Sequence, residues 1–134
     1  MIDAAIKQRV RQRAGDRCEY CRLPQIYEPG RRFHIEHIIA KRHRGADDLG
    51  NLALSCRLCN AHKGTNLAGM DPDTDVLTRL FHPRNDHWQE HFCINGVLIA
   101  GITDIGRTTV WLLEMNLDSR LELRGLMQEE GMWP

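Results

Sequence analysis

No stretch of this 134-residue chain stays apolar for long. The longest runs, Val97-Leu98-Ile99-Ala100 and Val110-Trp111-Leu112-Leu113, fall far short of the roughly 20 residues that cross a bilayer. The first residues carry charge where a secretory leader needs an apolar region. Internal repeats and low-complexity tracts are missing, and so is net charge, 18 Lys+Arg balancing 18 Asp+Glu. These absences argue against membrane and secreted classes. They lead to the expectation of a cytoplasmic chain without a membrane partner, folded as one domain or as one domain with an appended part. In that setting five cysteines do not make a disulfide framework, because thiols stay reduced.

The zero total conceals a segregation. Residues 1–64 hold 13 Lys+Arg against 7 Asp+Glu, and residues 65–134 hold 5 against 11. A basic half fits a polyanionic ligand, although a solvated charged surface has the same composition. Four cysteines pair as Cys18-x-x-Cys21 and Cys56-x-x-Cys59. One such pair could serve redox chemistry; two favour a tetrahedral structural Zn²⁺. The 34 residues between the pairs exceed the spacer of a simple zinc ribbon and must fold as an excursion. Cys93 reads as a small core residue in a strand.

Local signals place these residues on elements. Asp3 caps a predicted helix to Arg13 with Ile2, Ile6 and Val10 on one face, and Gly15 ends it. Pro29-Gly30 turns the chain into a strand over 33–39. Residues 40–51 read as an exposed loop whose Lys41, Arg42, His43 and Arg44 can lie along a nucleic-acid backbone. A strand over 52–54 and a helix over 57–67, stopped near Gly69, follow. Residues 69–73 read as an acidic connector, so the expected parts are 1–69, with the basic helix and zinc-stapled core, and 70–134. In the second part, strands over 88–94 and 97–100 flank Asn95-Gly96 as a hairpin. Thr103 or Asp104 then caps a helix to about Met115. Asn116 or Asp118 caps another over 119–130, with Leu121, Leu123, Leu126 and Met127 as its apolar contacts.

The chemistry-bearing residues gather in the first part. His37 offers a neutral imidazole as a base near pH 7. Glu36 offers a hard carboxylate oxygen and Asn60 an amide oxygen, a donor set that suits Mg²⁺ or Mn²⁺ with water and phosphate completing the shell. Lys63, three residues beyond Asn60, reads as a phosphate contact. His34 shares Glu36's strand face, making it the first candidate for an extra ligand, although His34 and His62 favour structural or surface roles. Plainer readings stand beside these: a structural imidazole for His37, an arginine partner for Glu36, a helix cap for Asn60 and a solvated Lys63. Strict alternation separates Glu36 from His37, so the strand must end or twist there if both serve one phosphate.

Taken together, Cys18-x-x-Cys21, Ile35-Glu36-His37-Ile38, Gly45, Asn51-Leu52 and Cys56-x-x-Cys59-Asn60-x-x-Lys63-Gly64 resemble the HNH endonucleases of the His-Me finger group. The resemblance implies an α+β fold: a ββα-metal core stapled by a four-cysteine zinc site, here followed by a β-hairpin and two helices. It implies metal-dependent hydrolysis of double-stranded DNA, by nicking or double-strand cleavage, leaving a 5′-phosphate. In that reading His37 is the general base, Glu36 and Asn60 hold the catalytic Mg²⁺ or Mn²⁺, and Asn51 fixes the loop behind the base. Lys41, Arg42, Arg44 and Lys63 contact the nucleic acid, and the chain acts as monomer or homodimer. The alternative is a non-catalytic zinc-stabilised nucleic-acid-binding module. The region after Gly69 also resembles an extension of some bacterial members, in which Trp88, Phe92 and Trp111 read as core, or Arg84, His91 and Arg107 as parts of a lid.

Overall fold

The computed structural model describes residues 2–134, which divide into two compact units. The first comprises the chain up to Leu67 together with His82–Asp86; the second comprises Ala68–Phe81 and His87–Pro134. Both are small α+β assemblies with two-stranded antiparallel sheets.

In the first unit, α1 (Ala4–Arg13) starts where the Asp3 carboxylate accepts from the Ile6 amide at 2.9 Å. Val10 is its buried residue. Two of its cations brace the sheet: Arg11 donates to the Phe33 carbonyl, and Arg13 to those of Leu49 and Leu52. Strand β1 (His34–His37) pairs with β2 (Leu52–Ser55), Glu36 facing Ala53 and His37 facing Leu52 across the ladder. The strand is shorter than the expected 33–39 and ends at His37.

Helix α2 (Arg57–Lys63) completes a ββα unit. It stops a turn earlier than the expected 57–67, because Gly64 takes φ +53° and closes on the Asn60 carbonyl. The cap at its start is not Asn60: the Cys56 sulfur accepts from the Cys59 amide. Segment His82–Asp86 is tied in by an ion pair of Arg84 with Glu19, whose other carboxylate oxygen accepts from the Leu54 amide. Glu19 thus links the first knuckle to β2.

In the second unit, β3 (Ala68–Met70) pairs with β4 (Leu77–Arg79), so the expected connector over 69–73 lies partly within a hairpin. Asp71 accounts for it. This buried carboxylate accepts from the Asp73 amide, the Thr74 hydroxyl and two nitrogens of Arg107, which holds the intervening turn shut. A four-residue helix, α3 (Trp88–His91), precedes β5 (Phe92–Asn95), replacing the first half of the expected strand.

The pairing of Asn95 with Leu98 makes Gly96 and Val97 the turn residues, one place along from Asn95-Gly96; Gly96 supplies φ +63°. Strand β6 (Leu98–Gly101) leads into α4 (Asp104–Leu112), capped by Thr103, and then α5 (Asp118–Glu129). Gly106 meets the His91 carbonyl so closely that a Cβ would sit 1.9 Å from its oxygen.

Several expectations for this unit differ from the structure, and on α5 the reason is that burial is shared with cations. Leu117, without a side-chain cap, precedes α5, while the Asn116 side chain bonds Ile99 and Arg124. The buried residues of α5 are Arg120, Arg124 and Met127, and Leu126 is 49% exposed. Trp88 and Phe92 are core, their rings 5.0 Å apart, but Trp111 is 67% exposed. Cys93 lies in its strand but is exposed.

Candidate active site

The four cysteines converge at the base of the ββα unit. Each knuckle is closed by an amide directed at sulfur, Cys21 N to Cys18 Sγ and Cys59 N to Cys56 Sγ, both 3.5 Å. All four sulfurs are buried and lie within 4.8 Å of one another, with Cys21 and Cys56 Sγ 3.7 Å apart. A tetrahedron with Zn–S bonds of about 2.3 Å has edges of roughly 3.8 Å, so the cluster is able to hold zinc. Burial pushes the Cys18 and Cys59 thiols well up, and thiolates persist here only with a cation to compensate them. Zinc bound there would join the loop before β1 to the start of α2.

Strand alternation then sends neighbouring residues to opposite sides. Glu36 points inward, where the Tyr20 hydroxyl donates to Oε1 at 2.5 Å and the Lys63 ammonium lies 3.8 Å from the same oxygen. Burial raises its carboxyl to about 7 despite the opposing pull of Lys63 and Tyr20. Its Oε2 is buried without a hydrogen-bond partner among the described residues. Lys63, expected to touch phosphate, is 1% exposed and donates to the Ile38 carbonyl at 2.9 Å. An ammonium so enclosed is held by Ile38 and Glu36 and does not reach a surface ligand.

His37 points the other way, toward a cleft of about 480 Å³ lined by Lys7 and Arg11 of α1, by Phe33, His34 and Ile35, and by Lys41 and Asp47. Its Nε2 is 2.7 Å from Asp47 Oδ1, and Lys41 Nζ is 2.9 Å from Asp47 Oδ2. The bond from Lys41, and then that from His37, hold the Asp47 carboxyl down at about 2.

Asn51 organises the loop behind this pair. Its Oδ1 accepts from the Ile39 amide at 2.8 Å, and its Nδ2 donates to the carbonyls of Ile39 and Ala46, each at 2.9 Å. Gly45 packs against the Ile39 carbonyl, where a Cβ would come within 1.6 Å of the oxygen. Only glycine allows that approach.

Of the residues singled out from sequence, the structure therefore brings His37 and Lys41 into one cleft and sets Asn51 behind them. Arg42 and Arg44 are exposed on the same loop. Glu36 and Asn60 do not line the cleft; Asn60 is half-buried on α2. His34 is exposed and lines the cleft beside His37. Arg84, His91 and Arg107, the residues of a hypothetical lid, are engaged by Glu19, Thr103 and Asp71.

Asp47 was missed in the sequence. The available signal was an acidic pair, Asp47-Asp48, in a loop otherwise rich in Lys and Arg and ten residues from the candidate base. Lys7 and Arg11 join the site only because α1 lies beside the cleft.

The side chains of Glu36 and Asn60 offer oxygen donors of the kind that suit a divalent cation. A buried carboxylate oxygen lacking a partner calls for a water or an ion, and a half-exposed amide on α2 supplies a second hard donor type.

The first unit thus presents a ββα arrangement with a four-cysteine cluster at its base and a histidine at the end of its first strand. Residues 18–66 match the family model described as HNH endonuclease. Searches of curated proteins and of solved structures gave no match.

Proposed function

We propose that this chain is a DNA endonuclease that hydrolyses phosphodiester bonds at the His37 cleft. The observation that carries the reading is the cleft itself: an imidazole held by a carboxylate, in a concavity whose other charged groups among the described residues are Lys7, Arg11 and Lys41. Three cations suit a phosphate backbone, and Arg42 and Arg44 extend the basic surface along the loop. His37 accepts a proton from water; the water oxygen bonds to phosphorus as the bond to the 3′-oxygen breaks, and the departing oxygen is protonated from solvent. Glu36 and Asn60 are the donors for Mg²⁺ or Mn²⁺, a role that the partnerless Oε2 supports. When bound, that ion supplies positive charge for the phosphoryl and departing oxygens. The cysteines hold zinc and keep β2 and α2 in register.

The test is cleavage of supercoiled plasmid with Mg²⁺ or Mn²⁺, with His37→Ala beside the wild type. The substitution is expected to lower the rate by about 100-fold or more. Equal rates would sink the base assignment.

One observation favours a second reading, a non-catalytic zinc-stabilised module that binds nucleic acid. Glu36 is closed off and neither it nor Asn60 lines the cleft. Salt-dependent DNA binding with no cleavage by any divalent metal would select that reading.

A further inference from the structure

We propose that Asp47 is the positioning residue for His37: its carboxylate accepts the Nε2 hydrogen and leaves Nδ1 as the nitrogen that receives the proton of the attacking water. The proposal rests on the nuclease reading above and adds to it a residue and a tautomer.

The chemistry of the two groups decides the tautomer. An ionised carboxylate only accepts hydrogen bonds, and a neutral imidazole carries one N–H. With Asp47 Oδ1 at 2.7 Å from Nε2, the hydrogen belongs on Nε2, since the other tautomer would oppose two lone pairs at that distance. Nδ1 then keeps its lone pair. Asp47 is kept ionised by Lys41, whose ammonium donates to Oδ2 at 2.9 Å. The groups lining the imidazole's cleft are Lys7 and Arg11 from α1, His34 from β1, and Lys41 and Asp47 from the loop. Asp47 is the one acid among them. When Nδ1 takes the proton, the imidazolium keeps its Nε2–H on Asp47, and the carboxylate balances the new charge.

The pair is also built, rather than a chance meeting of surface groups. Asn51 holds the amide and carbonyl of Ile39, two residues after His37, and the carbonyl of Ala46, the residue before Asp47. One buried side chain thus holds both backbones from which the partners extend. Gly45 lets the loop close onto Ile39 without a side chain between them.

The experiment uses the full zinc-loaded chain, wild type and Asp47→Ala, Asp47→Asn and Asp47→Glu, with zinc content and circular dichroism verifying the fold. Two readouts are taken: kcat and KM for plasmid nicking, and the tautomer of His37 from nitrogen-15 imidazole spectra. Expected are an Nε2–H signal in the wild type and loss of that single tautomer in Asp47→Ala. With it, kcat should fall about 100-fold in the Ala and Asn variants, KM little changed, and recover partly in Asp47→Glu. The Asn variant preserves shape, so loss there is not a packing effect. An unchanged kcat in folded Asp47→Asn, or an Nδ1–H signal in the wild type, overturns the proposal. The spectrum needs no cleavage: an inactive wild type overturns the nuclease reading, while its Nε2–H signal still supports the hold of Asp47 on His37.

Discussion

The two units bury charge in different ways. In the second, buried charged groups are fully engaged. Arg124 donates to the carbonyls of Val97 and Met115 and to Asn116, and lies 5.3 Å over the Trp133 ring; Asp71 receives four bonds. In the first, Glu36 is buried with one oxygen unbonded and its carboxyl raised to about 7, beside a cluster of four thiols. Satisfied buried charge specifies a fold; unsatisfied buried charge weakens it and marks a place kept for a ligand. The contrast leads to the expectation that the first unit depends on a metal for its stability and the second does not.

The largest effect that would sharpen this contrast comes from removing zinc. Chelation, or Cys56→Ser, should cost the first unit on the order of 10 kcal/mol of metal-linked folding energy. Hydrogen exchange should then show β1, β2 and α2 losing protection while β5 and β6 keep theirs. Equal loss in both units would break the comparison.

Next is Lys63→Ala, which strands Glu36 without its cation and should destabilise the first unit by about 3 kcal/mol or more, measured by denaturant unfolding. A neutral result would show that Glu36 is already protonated or otherwise paired. In the second unit, Arg124→Ala should cost about 2 kcal/mol through its orphaned acceptors and leave plasmid nicking unchanged. A fall in nicking with stability intact would tie that unit to the chemistry.

The smallest effect is a pH dependence. The two bonds from Arg107 lead the causes that hold the Asp71 carboxyl down at about 2, against an ordinary value of 3.8. A depressed acid stabilises the fold above its unfolded value, and that contribution is lost as pH falls through the folded one. Asp71→Asn should thus unfold more easily than wild type at pH 7, with the gap closing between about pH 4 and pH 2. A gap that persists at pH 2 would mean the carboxylate charge is not what holds the turn.

Much of the first unit was legible because its signals are local. The Asp3 cap, the two knuckles and the existence of strands near 33–39 and 52–54 follow from spacing and residue type, whereas the early end of β1 at His37 does not. The second unit was less so. The short hairpin β3–β4 hides in a stretch of turn-forming residues, and part of what holds its turn is Arg107, more than thirty residues away, which bonds Asp71. Arg120 and Arg124 are buried because their guanidinium groups meet backbone carbonyls that only the fold assembles.

The sequence by itself determined the zinc-knuckle frame, the alternation that parts Glu36 from His37, and the basic character of residues 1–64. Each depends on neighbours along the chain or on composition. Only the tertiary structure decided that Lys63 is buried, that Lys7 and Arg11 wall the cleft, and that Asp47 meets His37. Those facts depend on which backbone the loop over 40–51 closes against, and Asn51 and Gly45 settle that through contacts with Ile39 that have no sequence period.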